Sequence, residues 1–201
     1  MTSMGRVRGV LIDRDGTVIR DVGYLRRSEQ IEILPRVPEA LQLLRQHGLK
    51  IVIVTNQSAV ARGFLCEEEL RQIHQELERQ LARYVAFLDG IYYCPHHPTE
   101  GMEPYHVSCD CRKPNTGLAR QAAAELNLDL GRSYVIGDQV SDVELAARIG
   151  AKGILLEDRR LGTEDYRPGS PVVSPQSTVS VVEDLWEAAQ WIIRDLSHEA
   201  L

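Results

Sequence analysis

No stretch of this sequence stays apolar for the roughly 20 residues that a membrane-crossing helix needs. The opening residues, Met1 to Arg8, lead straight into an apolar strand and lack a signal-peptide core, so a cytoplasmic chain is expected. Positive charge is not in excess. The formal net charge of −6 argues against a broad nucleic-acid surface and leaves room only for a local basic pocket. Cysteine is scarce, with four in 201 residues. Without an export signal those four are expected as thiols or metal ligands rather than disulfides. Internal repeats and low-complexity tracts are missing as well. What remains is a globular balance, 43% hydrophobic and 26% charged, in a chain of one-domain length. A monomer acting on a small molecule, with no nucleic-acid or membrane partner, fits that balance.

Apolar runs and β-branched residues predict strands at 7–12, 49–54, 91–93, 134–136, 152–156 and 179–182. Helices are expected between them. One covers 38–46, with Pro38 near its start and Gly48 past its end. A longer one runs from 67 to about 88, with Leu70, Ile73, Leu77, Leu81 and Val85 on one face. Others cover 117–126, a segment through Ile149 that Ser141 could cap, and an amphipathic 183–196 whose Trp186 and Trp191 read as packing residues. The stretch 167–177, with three prolines, reads as a loop. Alternating strands and helices predict an α/β fold, a mainly parallel sheet covered on both faces. Ligands in such folds bind at the carboxyl ends of the strands.

The polar motifs fall where that rule needs them. Asp13-Arg14-Asp15-Gly16-Thr17 directly follows Val10-Leu11-Ile12. One carboxylate can attack phosphorus and the other can protonate a leaving oxygen, while both can help hold a hard divalent cation. An acidic turn after a strand would look the same in isolation, so three further segments carry the reading. Thr55-Asn56-Gln57-Ser58 follows the second strand and offers a hydroxyl and backbone N–H groups to a phosphoryl oxygen. Gly137-Asp138-Gln139-Val140-Ser141-Asp142 follows the 134–136 strand, where Asp138 could face Asp13 and Asp15 around Mg²⁺. Asp142 is either a further ligand or a residue favoured at a helix N-terminus. Arg112-Lys113-Pro114 supplies a bidentate clamp and a point charge for phosphate.

Cys94, His96, Cys109 and Cys111 have the composition of a closed structural zinc shell, with His97 as a rival to His96. The segment between them has too little apolar content to fold on its own core, and Zn²⁺ would supply that order. The clip, residues 94–111, ends beside Arg112 and Lys113 and would aim both at the site. Cys66 has no partner pattern and reads as a packing residue.

Taken together, D-x-D-G-T, a strand-end Thr, a Lys and G-D-x-x-x-D in that order resemble the haloacid dehalogenase superfamily of phosphotransferases. Asp21-Val22-Gly23-Tyr24, Thr55-Asn56-Gln57-Ser58, Tyr92-Tyr93-Cys94-Pro95-His96-His97-Pro98 and Cys109-Asp110-Cys111-Arg112-Lys113-Pro114 narrow the resemblance to the heptose-bisphosphate 7-phosphatase family. It covers residues 7 to about 160. The resemblance implies a Rossmann-like, haloacid dehalogenase-like fold in one domain spanning 1–201, without a cap domain. Asp13 is then the nucleophile and Asp15 the general acid and base. Mg²⁺ lies on the Asp13 carboxylate, the Asp15 backbone carbonyl and Asp138. Thr55 and Lys113 hold the phosphoryl group. Arg14, Asp21 to Tyr24, Asn56, Gln57, Ser58, Arg112 and residue 139 meet a sugar bisphosphate. Zn²⁺ takes Cys94, His96, Cys109 and Cys111. The family pattern has Lys after the Gly-Asp of the fourth motif, where this chain has Gln139. Histidinol-phosphate phosphatases share the nucleophile and zinc motifs, and an inactive zinc-stabilised binding module is the reading outside enzymes.

Overall fold

The computed structural model describes residues 5–157 and 179–199. Among these described residues, six parallel strands form one sheet: β1 (Gly9–Ile12), β2 (Lys50–Asn56), β3 (Gly90–Cys94), β4 (Tyr134–Gly137), β5 (Lys152–Leu156) and β6 (Val179–Val182), in the order β3-β2-β1-β4-β5-β6. β1 is central. Its Ile12 pairs with Ile53 of β2 on one side and Ile136 of β4 on the other. Its residues Val10, Leu11 and Ile12 are wholly buried, which is why the strand reads as a continuous apolar run rather than an alternation.

Helices α1 (Val37–Gln46), α2 (Glu67–Ala82), α3 (Gly117–Leu126), α4 (Val140–Ile149) and α5 (Leu185–Glu199) cover the two faces. Alternate side chains divide between two cores, as the pleat requires. Val10, Ile12, Ile51, Ile53 and Ile136 meet the apolar stripes of α1, α2 and α5. Leu11, Val52, Val54 and Val135 meet α3 and α4. Trp186 and Trp191 pack against the first core, Trp191 edge-on to Tyr134 and Trp186 under the Arg36 guanidinium.

Several boundaries differ from the sequence expectation. α2 ends at Ala82 instead of near residue 88. Val85 takes φ 56°, a left-handed conformation that no helix continues through, and points to solvent while Ala86 takes the buried place. The chain must turn there to enter β3. α4 begins at Val140, with Gln139 rather than Ser141 at its cap, because Asp142 reaches back to accept from the Gln139 N–H at 3.3 Å. β2 runs two residues further than expected, to Asn56, and β1 starts at Gly9 while Val7 bridges only to Leu128. α5 lies at 185–199 rather than 183–196. Cys66 is exposed at the cap of α2, where its N–H donates to Glu69, so it is not a packing residue. The expected loop at 167–177 lies outside the described residues.

Candidate active site

Asp13 leaves the end of β1, and its N–H donates to the Ile136 carbonyl at 2.9 Å, which continues the ladder to β4 and fixes the turn. Gly16 is required in that turn. Its φ is +77°, and a Cβ there would stand 2.1 Å from Asp138 Oδ2, so only glycine lets the turn close on Asp138. Gly137 plays the same part below Asp142, where a Cβ would again meet a carboxylate oxygen at 2.1 Å.

Asp13, Asp138 and Asp142 bring carboxylate oxygens within 4.8 Å of one another. Lys113 enters from beyond the Cys/His clip. Its Nζ lies 2.7 Å from Asp13 and 2.6 Å from Asp142, with the lysine 5% and Asp142 1% exposed. Burial alone would lower the ammonium's pKa, but the two carboxylates outweigh it and hold it above the usual lysine range. Burial pushes the Asp142 carboxyl up, with Lys113 opposing. Asp138 is pushed up to about 7, first by burial and then by Asp13 and Asp142. Three crowded carboxylates thus face one ammonium, and the buried Asp138 Oδ1 has no hydrogen-bond partner among the described residues. A hard divalent cation answers both conditions, and Mg²⁺ takes carboxylate ligands while keeping waters. Asp142, left open in sequence, belongs to this cluster and caps α4 as well.

The Asp15 carboxylate stands outside that cluster. It accepts from Arg14 Nε and Nη2 at 2.8–3.1 Å and from Gln57 Nε2 at 2.7 Å. Any metal role for Asp15 therefore falls to its backbone carbonyl. Gln57 also donates to Thr55 Oγ1 at 2.9 Å and accepts from Arg14 Nη2 at 2.7 Å. Arg14 and Gln57, expected to meet substrate, are 1% and 4% exposed and lie behind Asp15, occupied with it. Arg14 Nη1 donates to His74 Nε2 at 3.0 Å. His74 escaped the sequence reading, although it falls on the same α2 face as Leu70 and Ile73, where a polar residue has to find a partner.

Asn56 brackets the Lys113 backbone, accepting from its N–H at 2.9 Å and donating to its carbonyl at 3.2 Å. Those two bonds fix the lysine's backbone. Asp21, Val22, Gly23 and Tyr24 are exposed. The Tyr24 ring stacks edge-on to Phe64 at 4.8 Å, and the Arg26 guanidinium covers the other ring at 4.0 Å. Asp21 joins Gly16, Thr17 and Asp138 in lining a cleft of about 290 Å³. Gln139 is exposed beside it and reaches Asp138 Oδ2 at 3.3 Å. Ser58 is half-buried at the end of β2's loop.

Cys94, His96, Cys109 and Cys111 also converge, with ligand atoms within 4.8 Å of one another. Their sulfurs are 3.0–3.4 Å apart, and His96 Nδ1 lies 3.2 Å from Cys111 Sγ. Disulfide sulfurs would be about 2.05 Å apart. Tetrahedral Zn–S bonds of about 2.3 Å set S···S edges of roughly 3.7 Å, so the cluster is close to a metal shell. His97 stands outside this group, and its Nδ1 accepts from the Glu100 N–H at 3.0 Å. Arg112 Nη1 donates to the His96 carbonyl at 3.1 Å, which ties the second cation to the clip. Tyr93 and Tyr105 hydroxyls both donate to Glu67 at 2.8 Å and fasten the clip to the start of α2.

Two family models match, one described as haloacid dehalogenase-like hydrolase over residues 10–80 and one as HAD-hydrolase-like over 110–188. The D-glycero-beta-D-manno-heptose-1,7-bisphosphate 7-phosphatase of Pasteurella multocida is 43% identical over 161 residues, covering 79% of this chain and 86% of its own. The protein of the same name from Photorhabdus laumondii is 38% identical, covering 84% and 90%. Among solved structures, the D,D-heptose 1,7-bisphosphate phosphatase from B. bronchiseptica, complexed with magnesium and phosphate, superposes with a TM-score of 0.78 at 30% identity, over 94% of this chain and 99% of that one. Relatives this similar, matched over most of both chains, place the protein among the haloacid dehalogenase-like hydrolases, in the family that these heptose-bisphosphate phosphatases make up.

Proposed function

We propose that this protein is a Mg²⁺-dependent phosphoric monoester hydrolase that removes the C7 phosphate of D-glycero-β-D-manno-heptose 1,7-bisphosphate, leaving heptose 1-phosphate for surface-polysaccharide precursor synthesis. The observation that carries the chemistry is the buried Asp13–Lys113–Asp142 chain beside Asp138. The relatives' names carry the substrate and its β anomer. A cytoplasmic monomer is part of the same reading. No helix among the described residues is long and apolar enough to cross a membrane.

Asp13 attacks phosphorus, and the bond from phosphorus to the C7 oxygen breaks. Asp15 hands its proton to that oxygen as it leaves, so the sugar departs as the alcohol and the phosphoryl group stays on Asp13. Asp15, now a carboxylate, takes a proton from the water that attacks phosphorus, and Asp13 is released with inorganic phosphate. Lys113 and the Thr55 hydroxyl face the phosphoryl oxygens. Mg²⁺ held by Asp13 and Asp138 would spread the phosphoryl charge, the main requirement of such a transfer. Zn²⁺ on Cys94, His96, Cys109 and Cys111 would order the clip and keep Arg112 aimed at the substrate.

Phosphate release from the two anomers of the bisphosphate and from histidinol phosphate, measured side by side with Mg²⁺, tests this. The β anomer is expected to give the highest kcat/KM, by tenfold or so, which corresponds to about 1.4 kcal/mol of differential binding. Preference for histidinol phosphate would reassign the enzyme.

A further inference from the structure

Arg14 is 1% exposed, and a buried guanidinium needs a partner for each of its N–H groups. Its Nε and Nη2 face Asp15 and Gln57, while Nη1 faces His74 Nε2 at 3.0 Å. Arginine cannot accept a hydrogen bond, so Nε2 must carry the lone pair and the imidazole proton sits on Nδ1. His74 is itself 6% exposed, and burial followed by the Arg14 charge brings its pKa down to about 3. It therefore stays neutral, as an acceptor must. Because the guanidinium is a rigid planar fork, fixing Nη1 at one end sets the direction of the nitrogens at the other.

We propose that His74 is a positioning residue for proton transfer: it anchors Arg14, and Arg14 holds the Asp15 carboxylate where the leaving oxygen and the attacking water can reach it. The inference rests on the reading of Asp15 as general acid and base. A packing role alone would leave no reason for a polar ring here. The neighbours of His74 on the buried face of α2 are Leu70, Ile73 and Leu77, and a leucine would continue that stripe. The ring also lies 5.5 Å from that of Tyr93, whose hydroxyl binds Glu67, so the anchor is braced from β3.

The test compares wild type, His74→Leu and His74→Gln on two esters, using kcat/KM, which reports the steps through formation of the phosphorylated Asp13. Nitrophenyl phosphate expels a leaving group that needs no proton, whereas the heptose bisphosphate expels an alkoxide that does. His74→Leu is expected to lose roughly 10- to 100-fold on the sugar phosphate, at most the lower end of what a general acid contributes because Asp15 is misplaced and not removed, and less than about threefold on nitrophenyl phosphate. His74→Gln keeps an acceptor near the Nε2 position and is expected to restore most of the loss. Equal losses on both esters, or none on either, would overturn the assignment. Should His74→Leu not fold, His74→Asn replaces it, since its acceptor falls a methylene short of Arg14. Identical profiles for the Asn and Gln variants would then overturn it too. A wild-type protein inactive on every ester would instead bring down the phosphatase reading beneath it.

Discussion

Lys113 holds its charge at 5% exposure because Asp13 and Asp142 flank it, and in the proposed reaction Asp13 attacks with Lys113 facing it. Each is intelligible only through the other. Asp13→Asn keeps the shape of that arrangement and removes the attacking oxyanion, so turnover is expected to fall at least about a thousandfold with the fold intact. Phosphate release and circular dichroism on the same sample check it, and near-wild-type turnover would exclude Asp13 as nucleophile. At position 139 the amide of Gln139 already touches Asp138 at 3.3 Å. Gln139→Lys would set a cation at the mouth of the cleft. KM for the bisphosphate is expected to fall by up to about tenfold per 1.4 kcal/mol gained, with little change for a monophosphate. Steady-state kinetics on both substrates decide it, and equal effects would place the second phosphate elsewhere.

At the scale of elements, the clip lies between β3 and α3. It has few apolar residues of its own, and its order comes from the four-ligand cluster, from Glu67 holding two tyrosines, and from Arg112 on the His96 carbonyl. Lys113 has a second anchor in Asn56 on β2. Stripping zinc is therefore expected to raise KM through Arg112 more than it lowers kcat, and to lower Tm by several degrees, because metal binding and folding of such a loop are one equilibrium. Removing Mg²⁺ should stop turnover reversibly and leave the clip in place. Elemental analysis of protein purified without chelators should find one zinc per chain, and a zinc-free active enzyme would contradict the clip.

Across the whole molecule, the sheet and the convergence of its loops were legible because a buried parallel strand writes itself as an unbroken β-branched run. Ile51 to Val54 and Tyr134 to Ile136 are such runs, and each polar motif follows one directly. What stayed hidden depends on side-chain direction. Nothing in Asp13-Arg14-Asp15 says that Arg14 turns inward to His74, 60 residues away, or that Gln57 donates to Asp15. The end of α2 was hidden for a similar reason, since the apolar stripe continues past the point where the chain must turn into β3. The three-carboxylate cluster also gives the molecule a pH signature. Asp138 rises from an ordinary 3.8 to about 7, so the folded state binds its proton more tightly than the unfolded state does. That contribution is present at low pH and is lost as pH rises from about 4 to about 7. Mg²⁺ offsets the repulsion, so its addition should raise Tm more at pH 8 than at pH 5. Thermal melts with and without Mg²⁺ check this, and an equal shift at both pH values would contradict it.

The central claim concerns which phosphate leaves. Phosphorus NMR of the β-bisphosphate during turnover follows both esters in one tube. The account predicts that the C7 monoester signal is replaced by inorganic phosphate while the C1 signal persists. Loss of the C1 phosphate first, or loss of neither with Mg²⁺ present, would contradict it.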